Sequence, residues 1–357
     1  MTDPRTVKLA KILTDYSIKI KKGDYIELNF GAEAKELALE CYKNVLKKEA
    51  LPILSPYLPG FGYAYYKYAT EEQLKTFPKL AMYETKLSAG VISIGAELNT
   101  KEFTNVNPKK IALRQKTMKP IHDLDIKKNN WILCDYPTNA LAQDAEMSLE
   151  EFEDFLYNAC LRDWKKESKK QDRLKKILDK GKTVRIVAPD TDLTFSIKGR
   201  QGIKCDGKRN MPDGEVFCAP VEDTTEGHIR YSYPAVWGGR EVSDISLKFH
   251  KGKVVKATAE KGEDFLKEMI ATDKGSCKLG EFGIGVNYGI KKFIKQILFD
   301  EKIGGTIHLA LGRAYPEGGG RNESAIHWDM IKDMRKDGRL YIDGKLIQKN
   351  GKFTFKL

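Results

Sequence analysis

The sequence predicts a chain of mixed class, with an open α/β layer in its first half and an antiparallel, β-rich second half. Three observations predict it. Strand-like and helix-like segments alternate up to about residue 160. Composition then shifts across the lysine run KKESKKQDRLKKILDKGK, 165–182. Beyond that run, Lys-Gly, Asp-Gly (343–344) and Asn-Gly (350–351) punctuate alternating segments, as hairpin turns do. At 357 residues two domains are expected, and the boundary is placed near residue 180.

In chain order, Leu9, Ile12 and Leu13 mark an amphipathic helix. DYIELNF (24–30) is a strand, and AEAKELALECYKNVLKK (32–48) a helix with Ala34, Leu37, Ala38, Cys41 and Val45 at helical spacing. LPILSPYLP, GVISIGAEL (90–98) and NNWILCDYPT (129–138) are further strands. SLEEFEDFLYNACLRDW then opens with Ser148 and Glu151 in capping-box register and buries Phe152, Phe155, Leu156 and Ala159. After the lysine run come TVRIVAPDTDLTFSIKGR (183–200), ISLKFHKGKVVKATAE, RLYIDGKLIQ and QKNGKFTF, all strand-like. Two short helices are expected near 261–271 and 290–299.

Composition excludes some function classes. No apolar run approaches the ~20 residues of a membrane span, and charge interrupts the N-terminus too often for a secretory signal. Six scattered cysteines, with no CxxC pair, read as reduced thiols of a cytoplasmic protein rather than a disulfide framework. The net charge of +12 raises nucleic-acid binding. The basic run lacks the interleaved aromatics of a single-strand groove, so a solvated lysine face is preferred and no nucleic-acid partner is expected.

Four stretches in the second half carry chemistry. In NMPDGEVFCAP, Glu215 begins a hydrophobic run. In KLGEFGIGVN, alternation puts Phe282, Ile284 and Val286 on one face and Glu281 with Gly283 and Gly285 on the other, leaving room close to the backbone. In TIHLALG, His308 faces away from Ile307, Leu309 and Leu311. In AIHWDM, His327 and Asp329 share the face opposite Ile326 and Trp328, about 6 to 7 Å apart along the strand. Each signal alone is weak, since a buried histidine is more often a satisfied core residue. The loop PEGGGRNES (316–324) lacks phosphate-loop spacing and reads as a flexible loop beside a site. His122, His228 and His250 read as surface residues.

Together the four stretches resemble the thermophilic metallo-aminopeptidase family, that of aminopeptidase T and aminopeptidase S. The likeness extends upstream to DTDLTFSIKGR, DYPTNALAQDAEMSLEEFEDFLYNACLRDW and KKGDYIELN, and so covers nearly the whole chain. It implies an N-terminal α/β domain, 1–180, serving dimerisation and substrate gating. Residues 181–357 would form the barrel-like, β-rich catalytic domain. It further implies metal ligands at Glu215, Glu281, His308, His327 and Asp329, and a site tyrosine at Tyr315. The chain departs from the family in a short 55–128 region and in Gly214, where some relatives carry a second glutamate.

Three carboxylates and two histidines suit two divalent ions sharing a carboxylate, roughly 3.5–4 Å apart, better than one tetrahedral zinc. Glu281 or Asp329 would bridge, and zinc, cobalt and manganese all fit the donors. The implied activity is removal of N-terminal residues from short peptides by a metal-activated water, Tyr315 stabilising the oxyanion. A homodimer is implied as well. The alternatives are a metal-dependent phosphodiesterase or nuclease and a non-catalytic nucleic-acid-binding protein.

Overall fold

The computed structural model describes residues 2–357. Two compact units emerge, one of residues 1–162 with 207–212, the other of 163–206 with 213–357. The break falls at Arg162/Asp163 rather than near 180, for a physical reason. Helix Trp164–Lys180 buries Trp164, Leu174 and Leu178, and the two leucines belong to the core of the second unit. Its lysines take the outer face, where Lys175 pairs with Asp179 one turn on.

The first unit holds a parallel five-stranded sheet, in the order Leu51–Tyr57, Tyr25–Gly31, Ser88–Gly95, Trp131–Asp135 and Asn210–Met211. The near-continuous burial of Ser88–Gly95 is what a strand covered on both faces requires. Helix Lys35–Lys47 packs Leu37, Ala38, Cys41 and Val45 inward, as their spacing dictates. Ser148 and Glu151 form the reciprocal capping box that opens helix Leu149–Cys160. That helix buries Phe152, Leu156 and Ala159; Phe155 is only half-buried, and Tyr157 goes inside, its hydroxyl 2.7 Å from Thr6 Oγ1.

The second unit is antiparallel. One sheet of eight strands runs from Lys253–Thr258 through Ser246–His250, Glu226–Arg230, Thr191–Ser196, Thr183–Ala188, Arg339–Ile342 and Lys345–Lys349 to Lys352–Phe353. A second, of five, runs His327–Asp333, Thr306–Gly312, Leu279–Gly285, Glu215–Cys218, Ile203–Cys205. Both are open, and they enclose one core in which Phe195 meets Phe282 edge to face at 5.2 Å. Complete burial of each ring contributes roughly 1.5–3 kcal/mol. Both residues of Lys251-Gly252, Asp343-Gly344 and Asn350-Gly351 have positive φ, as tight hairpin turns demand.

The helix expected near 290–299 shrinks to Ile297–Asp300. Lys295 sits at φ 62°, and the Asp300 carboxylate accepts the Ile294 amide at 2.8 Å, so the segment closes as a loop. No helix among the described residues is long and apolar enough to cross a membrane.

Candidate metal centre

The five-stranded sheet builds the site through register. Glu215 lies opposite Gly285, Gly283 opposite His308, Ala310 between Glu281 and Asp329, and Gly312 opposite His327. One face of these strands sends Val216, Phe282, Ile284, Ile307, Leu309, Leu311 and Trp328 into the core. The other face carries three acids and two imidazoles over a floor of glycine and alanine. The small floor is necessary. A Cβ on Gly283 would stand 2.0 Å from His308 Cε1 and Nε2, so the space beside Glu281 is filled by that imidazole.

All five groups come together. His308 Nε2 lies 3.1 Å from Glu281 Oε1 and 3.2 Å from Glu215 Oε2. His327 Nε2 lies 3.5 Å from both Glu281 Oε2 and Asp329 Oδ2. Glu281 thus turns one oxygen to each histidine. Each ring is fixed from behind, His308 Nδ1 donating to the Glu301 carbonyl at 3.1 Å and His327 Nδ1 to the Arg313 carbonyl at 2.7 Å. That tautomer leaves both Nε2 lone pairs aimed at the carboxylates, the arrangement found behind metal-binding histidines.

Lone pairs facing lone pairs repel unless a metal ion lies between them or, in its absence, a proton on Nε2 bridges them, as the 3.1 Å His308–Glu281 contact allows. Glu215 Oε2, Glu281 Oε2 and Asp329 Oδ1 are buried with no hydrogen-bond partner, which is costly for ionised groups. Without a cation, burial pushes Glu215 up to about 8 and Asp329 up to about 6. Burial would lower His308, but Glu281 and Glu215 raise it to about 10. Orphaned oxygens, borderline nitrogens and an unmet need for positive charge fit divalent metal.

A model of the family described as thermophilic metalloprotease (M29) matches residues 2–353. The chain belongs to this family. Its divalent metal cofactor follows from that membership. The chain is 28% identical to aminopeptidase 2 of Geobacillus stearothermophilus, across 98% of both sequences. Its fold is similar to wild-type AmpT from Thermus thermophilus, with TM-score 0.84, 21% identity, and 98% and 99% of the two chains covered. It is also similar to 2,5-dihydroxypyridine dioxygenase from Pseudomonas putida KT2440, at TM-score 0.62, 11% identity, and 98% and 96% coverage.

Around the centre of this M29 protein, Tyr315 rests its ring 4.9 Å from His327 and 5.8 Å from Phe217, one side of it exposed. Burial and the charges of Glu281 and Asp329 hold its phenol protonated. The glycine-rich loop is anchored rather than loose. The Gly318 and Gly320 amides return to the Tyr315 carbonyl, and Ala314 bonds Asn322. His122, His228 and His250 are exposed. Gly214 takes φ 124°, and a Cβ there would stand 2.7 Å from that of Asn287, so the position has no room for a side chain such as a second glutamate.

Two residues escaped the sequence reading. Glu301 offers a carboxylate oxygen that groups with Glu215 and His308 within 4.8 Å. Lys302, fully buried, bonds the Glu301 carboxylate and reaches Glu215 Oε1 at 3.5 Å. Their signal is the charged pair in LFDEKIGGTIH, immediately ahead of the His308 strand.

Proposed function

We propose that the protein is a metal-dependent aminopeptidase that releases N-terminal residues from short peptides at a two-metal centre held by Glu215, Glu281, His308, His327 and Asp329. The observation carrying this reading is Glu281, whose two oxygens face different histidines, the disposition of a carboxylate shared by two ions. When bound, zinc, cobalt or manganese ions supply Lewis acidity that polarises the scissile carbonyl and acidifies water. The chain's own groups do the rest. The Glu301 and Arg313 carbonyls keep both imidazoles in the ligating tautomer. Tyr315 Oη, protonated and at the open side, donates to the developing oxyanion.

Glu301, outside the ligand set, takes the proton of the attacking water. Burial would raise its pKa, but Lys302 and His308 lower it, which keeps the carboxylate ionised and able to accept. The cytoplasm, where thiols stay reduced, suits six free cysteines. A homodimer, with the N-terminal domain gating access to short peptides, follows from the family resemblance. Exposed Phe61, Tyr68 and Leu80, at 70%, 75% and 82%, offer apolar surface for a second copy to cover.

The test is hydrolysis of leucyl-p-nitroanilide by chelated and reloaded protein, paired with elemental analysis. Activity should vanish with chelation, return with one of the three ions, and accompany two ions per chain. Sustained turnover in excess chelator would refute the reading.

A further inference from the structure

Lys302 is 0% exposed, and nothing in the reaction above uses its ammonium as a donor to substrate. Burying an ammonium costs several kcal/mol unless acids surround it. Here they do: Nζ bonds Glu301 and stands 3.5 Å from Glu215 Oε1, while Glu215 keeps Oε2 for His308. Behind Glu215 lies a second group of donors. The Cys205 thiol, an Asp213 oxygen and a Glu215 oxygen all fall within 4.8 Å of one another. Asp213 and Cys205 both act electrostatically on the Lys302 ammonium.

The charges point the same way. Glu215, Glu301 and Asp213 act on the ammonium, and Glu281 and Asp329 lie in the neighbouring group with His327; these five carboxylates and one ammonium leave four negative charges for cations to neutralise. Two divalent ions meet that need. A third would overshoot it.

We propose that Lys302 is a resident cation that closes a third, thiol-bearing metal pocket formed by Cys205, Asp213 and Glu215, so that the centre stops at two ions. The inference rests on the metal-centre reading. With the ammonium removed, a soft dication takes its place. The Cys205 S–H gives its proton to solvent as the sulfur–metal bond forms, and Asp213 and Glu215 supply oxygens.

Cadmium tests this, because its thiolate bond absorbs in the ultraviolet. Wild-type protein titrated with cadmium should bind two ions and show no absorption band that Cys205→Ser removes. Lys302→Met should bind one further ion and show such a band. Lys302→Met with Cys205→Ser should lose it, and Lys302→Arg, which keeps the charge, should not gain it. A Cys205-dependent band in the wild type overturns the proposal, as does a folded Lys302→Met that binds no further ion. If that variant folds poorly, cadmium during refolding should rescue it, and failure of rescue counts against the proposal. A wild type that binds no divalent ion defeats the metal-centre reading instead, so the two failures are distinct.

Discussion

Glu281 is the residue on which both halves of the proposed centre depend. Glu281→Gln should bring bound metal below one ion per chain and abolish peptidase activity, whereas Asp329→Ala should keep one ion. Elemental analysis beside the nitroanilide assay reads both. Glu301→Gln separates ligand from base: metal content should hold while kcat falls roughly 10²–10⁴-fold, the range expected for a lost general base. Equal loss of metal and rate would make Glu301 a ligand. Gly283→Ala sets a methyl group against the His308 ring. It should weaken metal binding about tenfold or more, as disturbed support of a ligand does. Strand alternation put Glu281, His308, His327 and Asp329 on the faces turned away from the core, but the five candidates, Glu215 included, emerged as one ligand set only through the resemblance of the four stretches to the family. Glu301 and Lys302 did not emerge, since a loop rather than a strand carries them and only the fold brings their side chains beside Glu215.

At the scale of elements, strands and caps followed local chemistry closely. Hairpin dipeptides turned where expected, and the capping box formed at Ser148. Ser148→Ala should cost about 1 kcal/mol, the usual worth of such a cap, seen as a lower denaturation midpoint with m unchanged. The 290–299 segment was misread as a helix because its apolar spacing could not reveal the Asp300 side chain bonding back to Ile294. That carboxyl, 1% exposed, is raised by burial from 3.8 to about 8. The fold therefore favours the protonated acid, a contribution fully present below pH 3.8 and lost as pH rises through about 8. In chelated protein Asp300→Asn, which keeps the acceptor, should raise Tm at pH 8 and flatten its decline between pH 5 and 8. An unchanged profile would mean that Asp300 is ionised in the native state.

For the whole molecule, likeness of fold to a peptidase and to a dioxygenase shows that architecture alone does not select the chemistry. The proposed chemistry rests instead on the donor set of one sheet face. Ions bound only by the native state should stabilise it by about 2.7 kcal/mol each at a hundredfold excess over Kd. Chelation should therefore lower Tm, and reloading should restore it; a Tm indifferent to metal would contradict a buried centre with orphaned oxygens. The boundary between units was harder to read than either unit's class, because a lysine-rich surface hid the apolar stripe of helix Trp164–Lys180.

The path of the backbone between Asp206 and Asp213 has a practical consequence. The strand Asn210–Met211 pairs with Trp131–Asp135 of the first unit, and Glu215 follows four residues after Met211. A truncated protein that begins at Asp163 would still carry that strand, stripped of its neighbour, right beside the proposed ligand Glu215. Grafting the metal-bearing portion onto another scaffold by a single splice is therefore a poor route; a successful transplant must replace residues 207–212 with a short loop as well.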